Sequence, residues 1–211
     1  GSGLESATKV WDARTGALKH QLPGVRGPVA RSPLPNLYLV ATNAGLMLFD
    51  AAAGALVGPP LAIEGEVTSL TADAASSRIA LGTASGTLEL IELRRGTDGA
   101  PRLVRIARVQ PYQPRNWVQA VSLLDDGRRL ISVVREGEIA EWDPASLTRR
   151  RVFPRTLQHV HQAAFVPGRP WLAISGTPDP QGMRSGKVEV VDLMAGVATR
   201  YKANTNLPVS V

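Results

Sequence analysis

Short apolar runs, separated by clusters of Gly, Pro, Asp, Asn and Ser, set the rhythm of this chain. Leu37 to Thr42, Arg78 to Thr83, Arg129 to Val134 and Trp171 to Thr177 are β-rich runs of strand length. Each is preceded by another: a weaker run around Val29, then Val67 to Thr71, Val118 to Leu124 and His161 to Val166. Each is followed by an apolar stretch ending in an acid. These are Leu46-Met47-Leu48-Phe49-Asp50, Leu88-Glu89-Leu90-Ile91-Glu92, Ile139-Ala140-Glu141-Trp142-Asp143 and Val188-Glu189-Val190-Val191-Asp192. An earlier copy, Lys9-Val10-Trp11-Asp12, opens the series. The closing acids are 38, 42, 51 and 49 residues apart, the period of propeller blades.

Glycines 45, 86, 137 and 186 sit in polar turns before four of the acids, where a tight hairpin needs a residue that tolerates positive φ. A further turn follows each acid, then a fourth strand. The predicted unit is a four-stranded antiparallel meander. One such sheet is marginal alone, but several packed face to face around an axis bury both faces.

The fold class expected is therefore all-β, with helix nearly absent. Four complete blades are expected over residues 25–61, 65–110, 116–155 and 158–203, with a partial blade over 7–22 and a terminal strand over 207–211. Residues 1–6 read as a linker, of which Gly1-Ser2-Gly3 has the look of an appended leader. Joining 207–211 to 7–22 gives a blade without its second strand. A fragment, a split propeller completed by a second polypeptide and a small complete propeller all remain open.

Composition narrows the chemistry. Twenty Gly and 16 Pro suit many short strands rather than a helical bundle, and 44% hydrophobic with 20% charged residues describes a chain that buries a core. Cysteine is absent, which excludes disulfides, thiolate metal sites and cysteine nucleophiles and makes a cytoplasmic setting the default. No stretch approaches the roughly 18 apolar residues of a membrane span. The Ala-, Arg- and Gly-rich composition suggests a high-GC bacterial source.

Trp11-Asp12 and Trp142-Asp143, with Phe49-Asp50 and Val191-Asp192 as degenerate versions, resemble the signature of the WD-repeat β-propeller family. The resemblance covers nearly all of the chain after the leader. It departs from the family where a Gly-His pair usually precedes the innermost strand. Here Gly27-Pro28, Gly65-Glu66, Trp117-Val118 and Val160-His161 stand in its place. The resemblance implies a non-catalytic scaffold or regulatory subunit that presents partners to a protease, kinase, NTPase or transcription factor, with no cofactor.

No residue cluster argues for catalysis. Asp12, Asp50, Asp143 and Asp192 recur with the repeat, so turn capping explains them better than chemistry does. His159 and His161, two apart on a strand, are expected on one face, but no third metal ligand lies at suitable spacing. Arginines at 94, 95, 102, 105, 108, 128, 129 and 149–151 raise the nucleic-acid question. They are spread around the ring among acids and without an aromatic platform, so edge protection is the favoured role. A nucleic-acid-binding propeller and a propeller hydrolase with an axial metal stand as alternatives; a membrane partner is not expected.

In the resembled family, the loops joining one blade to the next and the central hairpins gather at one end of the axis, where partners bind. Here those loops carry Arg26, Arg115, Asn116, Trp117, Arg135, Glu136, Arg155, His159 and Arg184. Trp117 among arginines has the composition of an interface hot spot. The same residue is also placed to fill the gap left by the missing Gly-His pair.

Overall fold

The computed structural model describes residues 7–154, 157–166, 168–178 and 186–201. The strand expected at 207–211 and most of the loop at 178–186 lie outside the described residues. Among the described residues there is no helix, and so none long and apolar enough to cross a membrane.

Strands β1 (Ala7–Trp11) and β2 (Leu18–Pro23) form a two-stranded first blade. The second blade contains β3 (Val25–Arg31), β4 (Leu37–Thr42), β5 (Gly45–Asp50) and β6 (Ala55–Leu61). The third contains β7 (Val67–Asp73), β8 (Arg78–Thr83), β9 (Leu88–Arg95) and β10 (Pro101–Val109). The fourth contains β11 (Val118–Leu124), β12 (Arg129–Val134), β13 (Ile139–Trp142) and β14 (Arg149–Val152). The fifth contains β15 (His159–Phe165), β16 (Trp171–Thr177), β17 (Lys187–Asp192) and β18 (Val197–Tyr201). Every pairing is antiparallel between consecutive strands, so each blade is a meander.

Side-chain alternation gives each blade two apolar faces, and successive blades pack on them. Leu39, Leu46 and Leu48 of the second blade meet Ile79, Leu81 and Ile91 of the third. Leu88 and Leu90 then meet Leu130, Val121 and Trp142. Ile131, Val133 and Ile139 meet Leu172, Ile174 and Val191. Fully burying one such side chain stabilises the fold by about 2 kcal/mol, so the layers between blades, and not any single sheet, hold the molecule together.

The first strand of each complete blade carries a bulge. It falls between Val67 and Ser69, Val118 and Ala120, and Val160 and Gln162, with a wider irregularity between Val25 and Val29. Adjacent first strands pack along the inner side, where the bulged Thr68 donates its hydroxyl to the Val118 carbonyl of the next blade at 2.8 Å.

The recurring acids are turn caps. Oδ1 of Asp12, Asp50, Asp143 and Asp192 accepts backbone N–H groups two and three residues ahead, at 2.7 to 3.3 Å. The Lys19 ammonium holds the Asp12 carboxyl well below the usual carboxylate range. The Ala145 amide, then Arg150, does the same for Asp143, and the Ala195 amide does so for Asp192.

Candidate partner-binding surface

In a meander the central hairpin and the connection to the next blade emerge at the same end. Here that end collects the connection around 110–117 and the hairpin at 135–138. The connection into the fourth blade is Gln110-Pro111-Tyr112-Gln113-Pro114-Arg115-Asn116-Trp117. Its turn is closed by the Asn116 amide on the Gln113 carbonyl at 3.1 Å, with Arg115 at φ +75°.

Trp117 and Arg135 are brought together. The Arg135 amide donates to the Trp117 carbonyl at 2.8 Å, and the guanidinium carbon lies 5.6 Å from the indole centroid, within cation–π range. The Arg135 carbonyl in turn accepts the Val160 amide at 2.7 Å, so one residue fastens the fourth blade to the fifth. Trp117 stays 40% exposed. Arg115 and Arg135 are also exposed, and neither forms an ion pair among the described residues. By contrast Arg94, Arg102, Arg105, Arg108, Arg129, Arg149 and Arg150 are all paired with acids.

The remaining expected site residues divide. Asn116 is not available to a partner: it is buried, and its Oδ1 accepts the Glu136 amide at 3.1 Å, because a loop turned inward must satisfy the hairpin's orphan N–H. Glu136 itself is exposed. His159 lies half-buried next to Val160, with its Nδ1 enclosed and unbonded. Arg26 belongs to the irregular part of β3, in a different blade, and its side chain is not described. Arg155 and Arg184 lie outside the described residues.

Two sequence expectations change. His159 and His161 do not sit side by side by simple alternation, because His161 is the extra residue of the Val160/Gln162 bulge. Among the described residues no group of three His, Cys, Asp or Glu could hold a metal. Trp117 is not packed into the core either, being 40% exposed. Instead Tyr112, from the same connection, reaches Ser132 Oγ at 2.8 Å, and Trp142 Nε1 donates to that oxygen at 2.8 Å. Tyr112 had no sequence signal beyond being a lone aromatic between two prolines.

No family model matches the chain, and no curated protein matches it. Among solved structures the chain is similar to the computationally designed Ika8 protein, at a TM-score of 0.67 and 14% identity, over 95% of this chain and 57% of that one. It is also similar to hydrazine synthase of Kuenenia stuttgartiensis, at a TM-score of 0.65 and 12% identity, over 85% of this chain and 49% of that one. These likenesses define the class: an all-β, β-propeller-like protein of repeated blades. The chain spans about half the length of the structures it matches.

Proposed function

We propose that this chain is a non-catalytic, WD-repeat-like scaffold that binds a protein partner through the blade end carrying Trp117, Arg115 and Arg135. The observation that carries this reading is the exposed indole lying beneath the Arg135 guanidinium, with the Trp117 main chain fixed by the Arg135 amide on its carbonyl. A rigid aromatic anchor flanked by unpaired arginines has the chemistry of a contact hot spot, since it offers apolar area at little entropic cost. The ion pairing of Arg94, Arg102, Arg105, Arg108, Arg129, Arg149 and Arg150 with acids favours this surface over a nucleic-acid track. Ring completion by a second polypeptide is compatible with the same reading.

The test is capture of partners from the source cell by the tagged chain, followed by mass spectrometry and affinity measurement with the identified partner. Trp117→Ala is expected to weaken binding by about 2 kcal/mol with little change in thermal stability. Unchanged affinity in the folded variant would move the surface elsewhere. Capture of nucleic acid alone, with affinity falling steeply in salt, would replace the reading.

A further inference from the structure

Three positions at one end of the fourth blade carry side chains that the fold itself does not require. The bond from the Arg135 amide to the Trp117 carbonyl recurs one blade earlier, where the Ala84 amide donates to the Glu66 carbonyl at 2.9 Å. Glu66 precedes the buried Val67 as Trp117 precedes the buried Val118, and each valine opens the first strand of its blade. The third blade therefore makes the same junction with Glu and Ala, without an indole or a guanidinium. Counted back three residues from the same valines, Arg115 stands where the third blade has Glu64. Glu64 is bonded by Arg108 at 2.6 Å, whereas Arg115 forms no ion pair among the described residues.

Arg115 is also held in the left-handed region, at φ +75°, by the turn that the Asn116 amide closes on the Gln113 carbonyl. Gly or Asn would adopt that conformation at less cost, so an arginine there is explained by its side chain and not by its backbone. The result is one exposed indole with unpaired guanidinium groups from two elements, the 110–117 connection and the 135–138 hairpin. Of the hairpin's acids, Glu138 is taken by Arg149 at 3.0 Å, and Glu136 pairs with neither arginine. Both elements are fixed, by the Val160 amide on the Arg135 carbonyl and the Glu136 amide on Asn116 Oδ1. Little ordering is therefore left for binding to supply.

The geometry points to an acidic, extended segment of a partner protein as the occupant of this end, with an apolar side chain on the Trp117 indole and carboxylates on Arg115 and Arg135. The inference rests on the docking end proposed above and adds the chemistry of what binds there. Charge complementarity selects the acids, because a guanidinium already lying over an indole keeps its N–H edge for a carboxylate. In an extended chain, residues two apart share a face and lie about 6.6 Å from one another. The Arg135 guanidinium carbon is 5.6 Å from the indole centroid, so the first acid and the apolar residue stand two apart. A second acid, two residues beyond on the other side, meets Arg115. The segment reads acid-x-apolar-x-acid.

The probe is the synthetic peptide acetyl-Ser-Glu-Ser-Leu-Ser-Glu-Ser-amide, titrated at low salt into the full 211-residue chain and followed by the Trp117 indole N–H signal in NMR. One control has Gln for both Glu. The other, Ser-Ser-Glu-Leu-Glu-Ser-Ser, keeps the charge but turns the acids away from the side of the Leu. The probe is expected to bind about tenfold more tightly than either control, and to weaken about fivefold in Arg115→Asn and in Arg135→Gln. Trp117→Ala is expected to weaken it about thirtyfold, with amide signals away from the site unchanged in every variant. Arg128→Gln, at an exposed arginine in the hairpin at the opposite end of the blade, is expected to leave binding as it was. Absence of binding, or equal binding of the three peptides, overturns the proposal. So does a loss in Arg128→Gln as large as in Arg135→Gln, which would reduce the effect to net charge. A captured partner weakened by Trp117→Ala but indifferent to Arg115→Asn and Arg135→Gln would keep the docking end and overturn only its acidic occupant.

Discussion

The Trp142 indole N–H donates to Ser132 Oγ at 2.8 Å, across neighbouring strands of the fourth blade. Both residues are 0 to 2% exposed, in the layer against the third blade. Tyr112 completes the group at 2.8 Å from the same oxygen, and its ring meets Trp142 edge-on with centroids 6.1 Å apart. A connection that enters the blade is thereby tied to its second and third strands by one hydroxyl. Burial pushes the Tyr112 phenol above its usual range, so it stays protonated and able to bond.

Replacing Ser132 with Ala removes the shared oxygen and leaves an indole N–H and a phenol enclosed without partners. Each unsatisfied buried group costs roughly 1 to 3 kcal/mol, so a loss of about 3 kcal/mol is expected by urea unfolding. Adding Tyr112→Phe to that variant is expected to recover part of it. Simple additivity in the double-mutant cycle would mean that the three groups do not act together.

Arg105 is the support of a buried charge. Its Nε donates to Glu89 at 2.7 Å, and Glu89 is fully buried on the face of the third blade that meets the second. Arg105 also donates to the Ala62 carbonyl in the connection between those blades. Arg105→Met would strand the carboxylate with only Arg108, 3.5 Å away. A loss of about 3 kcal/mol is expected, and Glu89→Leu combined with Arg105→Met should be more stable than Arg105→Met alone.

The strands were legible because their signals are local. β8 and β12 were readable as short apolar, β-rich runs bounded by turn formers, and the capping role of Asp143 from its recurrence after each third strand. The bulge at His161 was not, because an inserted strand residue carries no compositional mark. Burial of Asn116 depends on the Glu136 amide 20 residues away, and the Tyr112 bond on Ser132 at the same separation. Both are tertiary pairings that spacing cannot reveal. The exposure of Trp117 was legible only as one of two choices.

Stability should depend on pH at both extremes, with signs set by these groups. The carboxyls of Asp12, Asp143 and Asp192 are held below their ordinary value, so their contribution is full above about pH 4 and lost as pH falls further. The Tyr112 phenol is raised, so its contribution is full below about pH 10 and lost above it. Melting temperature against pH should therefore decline at both ends. Asp143→Asn, which keeps the turn acceptor, should reduce the acidic slope only. Tyr112→Phe should reduce the alkaline slope only, and an unchanged alkaline slope would place that titration elsewhere.

Gly45 closes the central hairpin of the second blade under two constraints at once. Its φ is +123°, a conformation that L side chains rarely adopt. A Cβ built there would lie 2.1 Å from the Leu61 carbonyl oxygen, a backbone atom at the end of β6 that cannot rotate away. Gly16 differs, since it has positive φ but nothing within 4 Å of its added Cβ. The two positions separate conformational strain from collision. Gly16→Ala should cost about 1 kcal/mol, from strain alone. Gly45→Ala should cost about 3 kcal/mol or more, because β6 must also shift off the edge of β5. Equal losses in the two variants, measured by denaturant unfolding, would show that β6 yields without cost and that the close approach at Gly45 is not a constraint on the blade.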